Sequence, residues 1–314
     1  MNTSTGGPTI GVALGSGAAR GWSHIGVLKA LLRSGIEPDV VCGTSVGAMI
    51  GAAYAADNLE KLEHWVLNST RSDVFGFFSI RMPHTAFVDT QRFEDFLDQY
   101  VAGDHMSIES LPNPYAAVCT NLEDGREIWL RKGRLAHAVK ASMAMPGLFP
   151  AVADGDKWLV DGGLVNPVPV STCRTLGADI VIGVNLNADI LHRRNPQPQT
   201  NNEPTSSAST RKGVLDNLKK QVQGVSDALF PDDGDNDKLP GLFYSISKSI
   251  NIFQDQITRR RLDADPADVI IEPRVADIGL LEFSRAGDAI KEGDARLMAA
   301  LPGIQRLIKA RRPD

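Results

Sequence analysis

Three short stretches of this chain carry residue types and spacings suited to acyl transfer. Gly43-Thr44-Ser45-Val46-Gly47 has the G-x-S-x-G form, in which a serine sits on a strained strand-to-helix turn that pushes its Oγ clear of the backbone. Glycines at 43 and 47 permit that close turn. Asp161 ends the apolar run Trp158-Leu159-Val160 and is followed by Gly162-Gly163, so the backbone can turn sharply and hold the carboxylate near a neighbouring strand tip. Such an aspartate can accept the serine proton directly, although an ordinary pKa of about 4 makes it a weak base unless desolvation raises it. The pair therefore needs a water-poor pocket. Gly15-Ser16-Gly17-Ala18-Ala19-Arg20-Gly21 follows a strand and opens toward a helix N-terminus, supplying backbone N–H donors for the oxyanion that attack on an ester creates.

Two other chemistries compete for these residues. A Ser-His-Asp triad on an elbow serine runs in the order Ser, Asp, His, and the histidine that follows Asp161 is His192, at the lip of a polar segment. His24, His64, His84, His105 and His137 all precede Asp161; they read as surface or core-edge residues, with His24 singled out because it follows the glycine loop. This pushes toward a base other than histidine. A phosphate-binding G-x-G-x-x-G loop is the rival for Gly15 to Gly21. Arg20 stands where its third glycine belongs, and Glu37 and Asp39 precede the next strand instead of ending it.

The elements that must hold these residues are legible as runs. Thr9 to Leu14 predicts a strand, and Trp22, Ile25, Val27, Leu28, Leu31 and Leu32 fall at helical spacing up to Gly35. Asp39 to Cys42 predicts a second strand that turns into a small-residue helix. Two such units in succession imply a parallel sheet with a right-handed crossover. A helix over 93–100, strands over 115–120 and 127–131, a helix over 135–145 and a strand over 158–160 follow. Ile180 to Val184 is fully apolar and suits the sheet centre. Asn195 to Thr210 has almost no large apolar residues and predicts a mobile loop within a polar insertion at about 192–212. Val214, Leu218, Val222, Val225, Leu229 and Phe230 then mark an amphipathic helix that either packs on the core or meets lipid. A strand over 269–271 and a helix over 288–309 complete the chain. The reading is one α/β domain over 8–310, with its core motifs in 8–188 and the amphipathic helix, last strand and last helix in 213–310.

Composition narrows the partners. With 314 residues, 42% apolar content and a net charge of −5, the chain can bury a large core and has no basic footprint for nucleic acid. The first residues lack the basic start of an export signal, and no apolar run is long enough to span a bilayer. Cys42, Cys119 and Cys173 are widely spaced, indicating neither a disulfide framework nor a zinc site. The expectation is a cytoplasmic protein that needs no metal and no cofactor.

In order, Gly15 to Gly21, Gly43 to Gly47, Ala141-Ser142-Met143-Ala144-Met145-Pro146, and Asp161-Gly162-Gly163 followed by Asn166-Pro167 resemble the patatin-like phospholipase family. The likeness is greatest to bacterial members related to the catalytic domain of neuropathy target esterase. It covers roughly 8–188 and, more loosely, 267–293. The resemblance implies a three-layer αβα fold with a mainly parallel central sheet and a Ser45-Asp161 dyad. It also implies an oxyanion hole from Gly15, Ser16, Gly17 and Ala18 with Arg20 as the loop's basic residue, and cofactor-free hydrolysis of phospholipid, lysophospholipid or neutral acyl esters. Its substrate class suggests peripheral contact with the inner membrane face. The family loop is often nearly all glycine, and Ser16 and Ala18 depart from it, which bears on rate through the φ range open to Ala18. The alternative is a regulatory or lipid-binding protein that keeps the fold, motivated by the polar segment, the amphipathic helix and the basic run Arg259-Arg260-Arg261.

Overall fold

A computed structural model describes residues 7–69, 90–103, 105–189 and 242–312. The strands are β1 (Ile10–Leu14), β2 (Val40–Thr44), β3 (Tyr115–Asn121), β4 (Glu127–Leu130), β5 (Val152–Asp154), β6 (Lys157–Asp161), β7 (Ile180–Val184) and β8 (Val269–Ile271). The α-helices are α1 (Ser23–Arg33), α2 (Val46–Ala55), α3 (Leu59–Asn68), α4 (Thr90–Leu97), α5 (Leu135–Ser142), α6 (Val170–Thr175), α7 (Leu242–Ala264) and α8 (Ala286–Ala310).

β1, β2 and β7 are buried along their whole length, as continuous apolar runs require when both sheet faces are covered. Strand alternation divides the core in two. Ile10, Val12, Leu14, Val41, Ile182 and Val184 pack with residues of α1, α2 and α8. Ala13, Val40, Cys42 and Val181 pack on the other face with Val170 and Cys173 of α6 and Leu262 of α7. The result is a three-layer αβα arrangement.

The sheet order is β5-β6-β3-β2-β1-β7-β8, with β4 also paired to β3. Pairings from β8 through β7, β1 and β2 to β3 are parallel; those of β3 with β4 and β6, and of β5 with β6, are antiparallel. β7 thus lies one strand in from the edge, not at the sheet centre, and owes its burial to β8 and the two helical layers. β3 serves three partners. Ala117 to Thr120 pair with β4, overlapping both the β2 register, Tyr115 to Val118, and the β6 register, Cys119 to Asn121. β4 must therefore take one edge of β3, and β2 and β6 share the other, end to end. Thr44 pairs with Val118 and Asp161 with Cys119, so the tips of β2 and β6 meet.

Several boundaries differ from the sequence expectation. The second half of the glycine loop is a 3₁₀ turn, Ala18–Trp22, that leads into α1. The helix expected over 93–100 is α4 continued by a π-helical turn, Asp98–Ala102, and α5 stops at Ser142, before Met145. α7 was not anticipated. The polar insertion at 192–212, the amphipathic helix over 214–230, His84 and His192 lie outside the described residues.

Candidate active site

Ser45 joins β2 to α2 with φ 57° and ψ −124°, a left-handed conformation that non-glycine residues adopt only when their surroundings impose it. The imposition is visible on both sides. A Cβ at Gly43 would collide with the Gly47 carbonyl and the Ala48 backbone, and one at Gly47 with the Leu14 carbonyl. The turn can close, and α2 can approach the end of β1, only with hydrogen at both positions. Ser142, at the end of α5, fixes the elbow from below: its Oγ accepts from the Ser45 N–H at 2.9 Å and donates to the Val118 carbonyl at 2.6 Å. Ser142 is among the family-like residues in the sequence, but nothing in its spacing announced this role.

Asp161 is held as closely. Its N–H donates to the Ala144 carbonyl at 3.0 Å, its carbonyl accepts from Thr120 Oγ1 at 2.8 Å, and its Oδ1 accepts from the Gly163 N–H at 2.7 Å. Ser45 Oγ donates to Asp161 Oδ2 at 2.6 Å, with no histidine intervening. Ser45 and Asp161 are 5% and 1% exposed. Burial raises the Asp161 carboxyl from 3.8 to about 6, against the opposing pull of the hydrogen bonds from Ser45 and Gly163. Gly162 is required because a Cβ there would strike the Val118 carbonyl.

The glycine loop approaches from the tip of β1, and its amides divide into two groups. Gly15 N–H donates to the Val184 carbonyl at 3.0 Å and Ser16 N–H to the Pro167 carbonyl at 2.9 Å. Both are thereby spent and not free for the oxyanion role expected of them, whereas the amides of Gly17 and Ala18 have no acceptor among the described residues. Val46, the first residue of α2, adds an N–H without an intrahelical acceptor. Ala18 has φ 49°, the very conformation for which a glycine would be suited. Arg20 does not line the cleft. It is 2% exposed, and it donates through Nε to the Gly17 carbonyl and through Nη2 to Asn251 Oδ1, each at 3.2 Å. Desolvation lowers its pKa to about 10, with Asp189 opposing. It is a clamp on the loop.

His24 is fully buried, against the surface or core-edge expectation. Its Nε2 lies 2.8 Å from the Gly15 carbonyl, which can only accept, so Nε2 carries the proton and Nδ1 is left without a partner. Desolvation holds its pKa down to about 4, and it is neutral at neutral pH. His64 and His105 are exposed and His137 is half-buried. Cys42, Cys119 and Cys173 are buried and free, and the described residues contain no His/Cys/Asp/Glu group able to hold a metal.

Ser45 and Ala18 line an apolar cleft of about 730 Å³ including its open mouth. Its walls come from Trp22, from Met49 one turn along α2, from Trp65 on α3 and Phe93 and Phe96 on α4, and from Met143, Met145, Leu148 and Phe149 after α5. Leu281 and Phe283 close another side. Sequence patterning did not find this cleft, because each contributor reads as an ordinary core residue of its own element. A hydroxyl hydrogen-bonded to a buried carboxylate, beside unspent amides and an apolar groove, can attack a carbonyl whose substituent is a hydrocarbon chain.

Comparison with known proteins gives a matching picture. Residues 12–174 match the family model described as patatin-like phospholipase. An uncharacterized NTE family protein of Mycobacterium tuberculosis is 30% identical over 95% of this chain and 92% of its own length. Lysophospholipase nte1 of Emericella nidulans is 28% identical over 68% of this chain and 16% of its own length. Among solved structures, VipD from Legionella pneumophila matches 96% of this chain and 69% of that one at 14% identity and a TM-score of 0.47. Since one family match spans the glycine loop, the serine elbow and Asp161 together, and a relative aligns along almost the whole length, this chain belongs to the patatin-like phospholipase family.

Proposed function

We propose that this chain is a serine acyl hydrolase that cleaves fatty acyl esters of phospholipids or lysophospholipids, with Ser45 as nucleophile and Asp161 as base. Ser45 Oγ attacks the acyl carbonyl carbon and passes its proton to Asp161 Oδ2. The amides of Gly17 and Ala18 receive the oxyanion. Collapse of the tetrahedral intermediate releases the alcohol, which takes the proton back from Asp161 and leaves an acyl-Ser45 ester. Water, deprotonated by Asp161, then attacks that ester, and the fatty acid departs with Ser45 restored. No cofactor enters this cycle.

The observation that carries the reading is the 2.6 Å bond between Ser45 Oγ and Asp161 at the wall of an apolar cleft. Low solvent access makes Asp161 a stronger base than an ordinary carboxylate, and the cleft offers an acyl chain a place that excludes water from the pair. A lysophospholipid ester is favoured within the class because the Emericella nidulans relative is named a lysophospholipase. We take 8–310 as one hydrolase domain. Its substrate would be met at a lipid surface, by peripheral contact; none of the described helices is long and apolar enough to cross a membrane.

A fluorophosphonate, which phosphonylates activated serines with loss of fluoride, tests the nucleophile. The wild type is expected to take up one equivalent, Ser45→Ala none, and Asp161→Asn to react at a rate reduced by about 10²-fold or more. Equal labelling of wild type and Ser45→Ala would favour the alternative, a binding protein that retains the fold.

A further inference from the structure

The buried face of α7 is polar. Asn251, Gln254, Asp255 and Thr258 are all at most 7% exposed and fall at helical spacing. A buried amide costs free energy unless its hydrogen bonds are made, so the partners of these residues show what the face is for. Gln254 Oε1 accepts from Ser16 Oγ at 3.1 Å and from Asn187 Nδ2 at 3.2 Å. Ser16 immediately precedes Gly17. The other end of the same amide reaches the Asp161 turn: a Cβ at Gly163 would collide with Gln254 Nε2 and stand 3.0 Å from Asp161 Oδ1. One side chain therefore touches the loop that offers the free amides and the turn that carries the carboxylate.

The loop needs such a hold. Ala18 lies at φ 49°, a conformation that is unfavourable for alanine and persists only where the surroundings over-determine it. Backbone bonds fix Gly15 and Ser16 to the sheet side. The Ser16 side chain, through Gln254, fixes the loop to α7. Gly163 is glycine because Gln254 occupies the space a side chain would need.

We infer that Gln254 is a positioning residue for the proposed reaction, holding the Gly17 and Ala18 amides and the Asp161 turn at a fixed separation. This rests on the serine hydrolase reading above. Gln254 is not among the residues that line the cleft, so its loss is expected to act on the transition state and to leave ground-state binding intact.

The test is kcat and KM for one p-nitrophenyl ester with the wild type, Ser45→Ala, Ser16→Ala, Gln254→Leu and the Ser16→Ala/Gln254→Leu double variant, each with a thermal melt. Gln254→Leu is expected to lower kcat about 10- to 100-fold with KM within about threefold. Ser16→Ala should lower kcat in the same direction. The double variant should be no slower than the slower single one by more than about twofold, because both changes break one bond. Wild-type kcat in Gln254→Leu, a loss confined to KM, or a multiplicative double variant would each overturn the inference. Should Gln254→Leu not fold, a folded Ser16→Ala with unchanged kcat overturns it alone. Hydrolysis that does not depend on Ser45 in the wild type would instead overturn the hydrolase reading, and this inference with it.

Discussion

Asp161 is buried at a cost, and the proposed chemistry uses that cost. Its carboxyl is raised from 3.8 to about 6, chiefly by desolvation, and only the ionised form can accept the Ser45 proton. The kcat/KM profile is therefore expected to fall on the acid side with a midpoint near pH 6; a midpoint near the ordinary carboxylate value of about 4 would show that burial does not raise the Asp161 carboxyl. Stability carries the opposite sign. For an acid with a raised folded-state pKa, the protonated form's advantage is fully present below pH 3.8 and is lost as pH rises through about 6. At pH 7.5 the wild type thus holds a buried charge that Asp161→Asn removes. That variant should be more stable at pH 7.5, by up to about 3 kcal/mol, with the difference shrinking toward pH 4.5. Denaturant unfolding at the two pH values measures this, and a less stable Asp161→Asn at pH 7.5 would contradict it. The trade of stability for reactivity is expected of a functional carboxylate.

At the scale of elements, close backbone approaches decide what sequence can vary. α1 and α8 meet backbone to backbone: a Cβ at Gly26 would collide with the Ile290 carbonyl, and one at Gly293 with the Ser23 carbonyl. Gly293→Ala is therefore expected to destabilise the fold by about 1–3 kcal/mol in denaturant unfolding, against the gain that glycine-to-alanine normally brings inside a helix; a stabilised variant would show that the two helices separate freely. Neither glycine stood out in the sequence, where each reads as a weak point within a helix. The central strands were legible because β1, β2 and β7 are apolar on both faces. The elbow and the Asp161 turn were legible because close turns demand glycine at fixed places. Three features were not. α7 went unread because its buried stripe, Asn251, Gln254, Asp255 and Thr258, is polar, and hydrophobic periodicity has nothing to detect there. The end-to-end placement of β2 and β6 along one edge of β3 is a long-range pairing that no local pattern encodes. The cleft joins side chains of α2, α3, α4 and the segments after α5 and β8, which only the fold brings together.

At the scale of the whole molecule, a polar reacting pair lies at the wall of an apolar groove on a chain of net charge −5. That combination favours esters whose acyl part is hydrocarbon. Each methylene buried contributes about 0.8 kcal/mol, so kcat/KM should rise by at most about fourfold per methylene until the cleft is filled. Trp65 and Phe96 pack together in the wall with ring centroids 4.6 Å apart, and Trp65→Ala should move the optimum toward longer chains; an unchanged optimum would exclude Trp65 from the acyl site. The most direct measurement is hydrolysis of p-nitrophenyl butyrate, octanoate and longer esters by the wild type, Ser45→Ala and Asp161→Asn at pH 7.5. Activity is expected to increase with chain length in the wild type, to be abolished in Ser45→Ala and to fall about 10²- to 10⁴-fold in Asp161→Asn. Hydrolysis absent from the wild type, or undiminished in Ser45→Ala, would contradict it.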